Sequence, residues 1–119
     1  MKNRRQQYKE FLQALANLFD FAVANDIIFK GNEWWRSFDQ AAEYSKKGIG
    51  SKNSKHCYSL AVDIYIVNET GKKVLMGKIP SEYAKYKMLG DYWHSIGMVW
   101  GDTIRKGDVY HFEHPEKPA

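Results

Sequence analysis

The chain has 119 residues and a mass of 13.9 kDa, room for one compact domain (1–119) and not for two. Its 44% hydrophobic content and 18 aromatic residues exclude a disordered chain, and its single cysteine, Cys57, excludes an internal disulfide, so packing or a metal must hold the fold. With 18 Lys+Arg against 14 Asp+Glu the net charge is +4, which suits an anionic partner, whether a polymer or a nucleic acid, without choosing one.

From Arg4 to Asn25, Tyr8, Phe11, Leu12, Leu15, Leu18, Phe19, Ala22 and Val23 recur at three- and four-residue steps. Lys9, Glu10, Gln13, Asn17 and Asp20 fall opposite them, the pattern of a surface helix lying on a core. The mixed signs of that polar face argue against a helix lying on a membrane. No continuous apolar run follows the basic start, so neither a signal peptide nor a membrane span is expected, and synthesis in the cytoplasm is. Ile27 to Phe29 reads as a short strand. Ser37 followed by Gln40 resembles a capping box opening a second helix through Tyr44. Lys46 to Lys55, with two glycines and several lysines, is a loop.

Leu60 to Val67 (LAVDIYIV) reads as a strand, with a turn at Asn68–Gly71 and a returning strand at Lys73–Lys78. A third helix opens at Pro80-Ser81, with Ser81 as its N-cap, and ends at Gly97. Met98–Trp100 and Val109–Phe112 read as two final strands. The mixture predicts an α+β fold: a small central antiparallel sheet with about three flanking helices.

Asp63 is costly among the apolar residues of its strand unless paired with a cation, either a metal ion or a buried arginine. His56, seven residues earlier, and His111 offer further metal ligands. Asp108 and His111, three apart, point to opposite faces of an extended segment, so a bend beside Asp108 is needed to bring both to one cleft. Without it, Asp108 is a solvated turn residue. Cys57, the neighbour of His56, reads as a small buried residue. The four tryptophans read as core, with Trp100 alone near enough to the motif to line a cleft. His94 has no evident partner, and His114, just before Pro115, is expected to be exposed.

Four blocks carry a resemblance. Ser54-Lys55-His56-Cys57-Tyr58-Ser59-Leu60-Ala61-Val62-Asp63 resembles the S-x-H-x-x-G-x-A-x-D motif of the zinc peptidases that include D-alanyl-D-alanine carboxypeptidases, vancomycin-resistance D,D-peptidases and phage L-alanyl-D-glutamate endopeptidases. The stretch from Trp35 to Ala42, the stretch Gly97–Asp102 and the stretch Asp108–Glu113 resemble the family's other segments, in the family's order. The resemblance implies that His56, Asp63 and His111 bind one Zn²⁺ with water in the fourth position, that Asp108 is the catalytic carboxylate, and that Arg36 holds the oxyanion or a substrate carboxylate. Beside these, Ser54 is a candidate to touch substrate or, equally, to cap its own backbone, and Trp100 is the tryptophan expected to line the substrate cleft. Two departures stand out: Ser59 replaces the motif's Gly, and the segment after Trp100 lacks the family's second Gly.

The expected activity is hydrolysis of the stem peptide of bacterial peptidoglycan, as an L-alanyl-D-glutamate endopeptidase or a D-Ala-D-Ala carboxypeptidase. A phage-type endolysin, monomeric and released to the wall by a partner, fits the small size and the absence of an expected signal peptide, and a virion-associated enzyme fits nearly as well. The alternative is a non-catalytic domain that binds peptidoglycan or a protein and keeps zinc for structure; Asp108 argues against it, since such a domain needs no base. Nucleic-acid binding is not expected, because the basic residues are spread along the chain and do not cluster on one helix.

Overall fold

A computed structural model describes residues 2–31, 34–50 and 54–119. Helix α1 (Arg4–Ala24) starts at Asn3, whose side chain accepts from the Gln6 amide while the Gln6 side chain accepts from the Asn3 amide. That reciprocal pair is a complete capping box. Strand β1 (Phe29–Gly31) follows, and helix α2 (Phe38–Lys46) begins at Ser37, whose hydroxyl accepts from the Gln40 amide. A single 3-10 turn (Lys55–Tyr58) leads into β2 (Ala61–Ile66). Helix α3 (Pro80–Ser95), β3 (Val99–Trp100), a 3-10 turn (Gly101–Thr103) and β4 (His111–Glu113) complete the order. Part of the expected loop, residues 51–53, lies outside the described residues.

The sheet is antiparallel throughout, in the order β1-β2-β4-β3. Its central strand alternates as a half-buried strand should: Val62, Ile64 and Ile66 face the helices, while Asp63 and Tyr65 face the other way. Trp93 of α3 stands edge-on to both Phe11 of α1 and Phe112 of β4, at centroid distances of 5.8 and 5.9 Å, and so joins both helices to the sheet. These elements form the expected α+β fold, with three helices around a four-stranded sheet.

Several local expectations are corrected. Lys73–Lys78 is no returning strand; only Val67 and Val74 form a bridge. Where a ladder would continue, the Tyr86 hydroxyl accepts from the Ile66 amide (2.9 Å) and donates to the Leu75 carbonyl (2.7 Å). A side chain thus bridges one of the two hydrogen bonds of this pair, while the other, from the Leu75 amide to the Ile66 carbonyl (2.8 Å), is kept. Ser81 does not cap α3: Ile79 is its N-cap, with no side-chain bond, and Pro80 fills the first position, where no amide is needed. Trp34 and Trp35 are exposed rather than core, while His114 is only 1% exposed.

His114 is buried because the C-terminal tail lies along the start of α1. Its Nε2 sits 2.9 Å from Glu10 Oε1, and the Lys2 ammonium closes the cluster, 2.7 Å from Glu10 and 3.6 Å from Glu116. Gln7 donates to the Lys117 carbonyl and accepts from the Ala119 amide, and Arg4 donates to the Ala119 carbonyl. With the ammonium among these carboxylates, Glu10, His114 and Glu116 form a structural clasp.

On α1, only part of the apolar face meets the core. Phe11, Leu15, Leu18 and Ala22 are buried, but Tyr8, Leu12, Phe19 and Val23 are 37 to 69% exposed.

Candidate metal centre and active site

The 3-10 turn that carries His56 begins at Ser54, whose Oγ accepts from the His56 amide (3.2 Å), and the His56 carbonyl accepts from the Arg36 amide (3.0 Å). Ser59 then turns the chain into β2 through a left-handed conformation, φ 56° and ψ 32°. The motif's Gly suits such a conformation, so the departure at Ser59 keeps the backbone shape and adds strain. Two residues inside β2 stands Asp63, directly opposite His111 of β4. Cys57 is buried, with its thiol 3.8 Å from the Ser37 carbonyl.

These placements bring three ligand types together. Asp63 Oδ1 is 3.3 Å from His56 Nε2 and 3.7 Å from His111 Nδ1, and the ligand atoms of the three residues all lie within 4.8 Å of one another. The two rings meet edge to face, 5.1 Å between centroids. His111 Nε2 is 2.7 Å from Glu113 Oε1, and Lys55 holds Glu113 in turn, its Nζ 2.5 Å from Oε2 and 2.7 Å from the His114 carbonyl.

The electrostatics follow from this packing. Burial would raise Asp63, but hydrogen bonds from His111 and His56 outweigh it and hold the carboxyl at about 2. Burial would lower His111, yet Asp63 and Glu113 outweigh it and raise the imidazole to about 9. Asp108 is raised from the ordinary carboxylate value, chiefly by burial and further by the Asp63 charge, against the pull of His111 and Arg105.

A zinc ion fits these residues on an observation of the cleft itself. Two imidazoles and a carboxylate present nitrogen and oxygen donors to one point, and Glu113 occupies the far nitrogen of His111, leaving Nδ1 as the ligand atom. His56 Nδ1 is buried with no hydrogen-bond partner among the described residues, so the ring makes its polar contact through Nε2, the nitrogen facing Asp63.

The group opens into a cleft of about 560 Å³, also lined by Arg36, Ser54, Asp108, Ile49, Ile104, Arg105 and Lys106. Arg36 is 9% exposed, its guanidinium 4.8 Å from the centre of the Tyr44 ring. Asp108 reaches the cleft because its segment is not extended: its amide donates to the Arg105 carbonyl in a tight turn, and β4 begins only at His111. Gly101 makes room for this arrangement, since a Cβ there would lie 2.6 Å from the Asp108 carbonyl and 2.7 Å from His111 Cβ.

Trp100 is placed elsewhere. It is 3% exposed, stacked against Gly90, where a Cβ would fall 2.2 Å from its ring, and its Nε1 donates to the Val109 carbonyl (2.8 Å). Instead of lining the cleft, as expected, it supports the Asp108 segment from behind. Asp102 does likewise: Oδ2 accepts from the Tyr83 hydroxyl (2.6 Å) and Oδ1 from the Gly107 amide (2.7 Å). Sequence reasoning passed over Glu113, Lys55 and Asp102 as parts of the site. Glu113 had a usable signal, since residues two apart on a strand share a face and His111 was already a ligand candidate.

A peptidase family model described as D-alanyl-D-alanine carboxypeptidase matches residues 47–114, more than half of the chain, and the protein belongs to this family. Among solved structures, the Serratia marcescens L-Ala D-Glu endopeptidase ChiX is similar at a TM-score of 0.65 and 19% identity, over 94% of this chain and 86% of that one. The vancomycin-resistance D,D-pentapeptidase VanY, solved with Zn(II), is similar at 0.57 and 18% identity, over 89% and 71%. The LD-carboxypeptidase LdcB is similar at 0.57 and 22% identity, over 89% and 57%. No curated protein matches the sequence. Among the described residues, no helix is long and apolar enough to cross a membrane.

Proposed function

We propose that the protein is a zinc-dependent peptidase that cuts the stem peptide of bacterial peptidoglycan, with His56, Asp63 and His111 holding the metal. The observation that supports it most is the convergence of those three residues with Asp108 and Arg36 in one cleft of a peptidase-family chain. Zinc, when bound, lowers the pKa of its water to about 7 and polarises the scissile carbonyl.

The chain's own residues do the rest. Asp108, raised by burial, takes a proton at its carboxylate and returns it to the leaving amine. Arg36, backed by Tyr44, presents a planar fork of donors to the oxyanion or to a substrate carboxylate. Ser54, at the cleft edge, spends its hydroxyl oxygen capping the turn under His56 and retains its proton for substrate. Both candidate stem-peptide bonds, L-Ala–D-Glu and D-Ala–D-Ala, leave a free carboxylate beside the released amine, which suits the basic rim of Arg105 and Lys106. Action as an endolysin on the wall, after release from the cell that makes it, is the biological setting this chemistry fits.

The test is digestion of purified peptidoglycan by the zinc-loaded protein, with and without chelator, with new termini identified by mass spectrometry. New D-Glu amino termini identify the endopeptidase and released D-Ala the carboxypeptidase. Cleavage that survives chelation, or no cleavage after zinc is restored, refutes the proposal.

A further inference from the structure

Helix α1 carries a second, largely uncovered seam, touched by the rest of the chain at Phe19, whose ring lies 5.7 Å from that of Phe29. Arg5, Tyr8, Leu12, Ala16, Phe19 and Val23 are all exposed, as is Asp26, two residues past the end of the helix, where the chain turns through a left-handed conformation (φ 54°). The six helical residues follow one another at 3, 4, 4, 3 and 4 positions, which places them on one narrow stripe of the kind a helix presents to a neighbouring helix. From Tyr8 to Val23 it runs about 22 Å at roughly 1.5 Å per residue. None of these residues lines the catalytic cleft.

The charges on α1 are arranged against its own dipole. Its first turn holds no acid and its last turn no base. Instead Arg5 and Lys9 lie near the N-terminal end, where backbone amides already concentrate positive potential, and Asp20 and Asp26 lie near the C-terminal end. Helix α2 has the favourable arrangement, with Asp39 in its first turn and Lys46 in its last. None of the ion pairs among the described residues engages Arg5, Lys9, Asp20 or Asp26.

We infer that this face binds a second copy of the same chain, α1 against α1, antiparallel about a two-fold axis between Leu15 and Ala16. In that register Leu12 meets the second copy's Phe19, Tyr8 meets its Val23, and Arg5 meets its Asp26, with Lys9 near Asp20. Each contact occurs twice, as an isologous interface requires. The antiparallel direction brings acids to each basic N-terminal end and bases to each acidic C-terminal end, so it corrects the dipole mismatch as it covers the apolar stripe. Ala16, small and near the axis, lets the two backbones approach. Both catalytic clefts stay open to solvent.

Sedimentation velocity across a concentration series tests this, with zinc held constant. The wild-type chain is expected to shift from 13.9 kDa toward twice that mass as concentration rises. Leu12→Glu is expected to weaken self-association by at least about tenfold. Arg5→Asp and Asp26→Arg each place like charges at both ends of the interface and are expected to weaken it about tenfold, and the double variant R5D/D26R to restore it. All three positions are exposed, and circular dichroism checks that each variant is folded; should Leu12→Glu fail to fold, the charge series decides alone. A chain that stays monomeric to about millimolar concentration, the limit of any useful affinity here, overturns the inference. So does a dimer indifferent to the charge reversals, or binding of the stripe to anionic vesicles without self-association.

Discussion

Glu113 Oε1 lies 2.7 Å from Nε2 of His111, two residues away on the same face of β4, and so fixes which nitrogen of that ring faces Asp63. A carboxylate behind a ligating imidazole orients the ring, sets its tautomer and raises its basicity. Glu113→Ala is expected to weaken zinc binding by roughly 10- to 100-fold, measured against a competing chelator, with Glu113→Gln intermediate because its amide oxygen still accepts from Nε2. Equal affinity in all three proteins would remove Glu113 from the metal site.

Zinc must compete with a proton. In the metal-free protein His111 is raised to about 9, so near neutral pH the imidazole is charged and its proton has to leave when the metal binds. Apparent zinc affinity is expected to rise by up to about tenfold per pH unit on approaching pH 9 and to gain nothing from this group above it. Calorimetry in two buffers of different ionisation enthalpy counts the released proton. The metal-free fold has the opposite dependence: because the pKa is raised on folding, its stabilising contribution is complete below about 6.5 and is lost as pH rises through about 9.

Asp102 ties Tyr83 of α3 to the Gly107 amide, one residue before Asp108. Removing the tie frees the segment that carries the proposed base without touching a zinc ligand. Asp102→Ala is expected to lower kcat on the order of tenfold with unchanged zinc affinity, and Tyr83→Phe to lower it less. A loss of zinc affinity parallel to the loss of rate would show instead that the whole site had been disturbed.

Ser59 adopts φ 56° without the freedom of glycine. Ser59→Gly is expected to stabilise the protein by about 1 kcal/mol, the left-handed strain relieved less the added entropy of the unfolded chain. Urea unfolding of the metal-free protein measures it. A destabilised variant would mean that the side chain makes a compensating contact.

The readable parts of this sequence were those where local chemistry and tertiary context agree. The apolar period of α1, the Ser37 cap and the alternation through Asp63 were all legible, and the family motifs singled out the residues that gather in the cleft. What escaped were places where a distant side chain supplies what the local sequence lacks. Lys73–Lys78 has strand character, yet the Tyr86 hydroxyl stands between the Ile66 amide and the Leu75 carbonyl, and the pairing goes no further than a bridge. His114 reads as a tail residue until Glu10, 104 positions earlier, is found beside it. Trp100 sits in a motif near the cleft, but bare Gly90 on α3 draws its ring to the opposite side. Periodicity also could not tell which half of the α1 apolar arc would meet the core.

The pairing of Asp63 with His111 across β2 and β4 ties the proposed metal site to the register of the sheet. If β4 slipped by one residue, Phe112 would stand opposite Asp63 and His111 would turn to the other face of the sheet. The same slip would carry Phe112, fully buried against Trp93, out of the core, so packing already opposes it. A bound ion would act in the same direction, because only the native alignment presents both histidines and the aspartate together. One register thus serves two ends at once: it keeps the aromatic core shut on one face of β4 and gathers the three donors on the other.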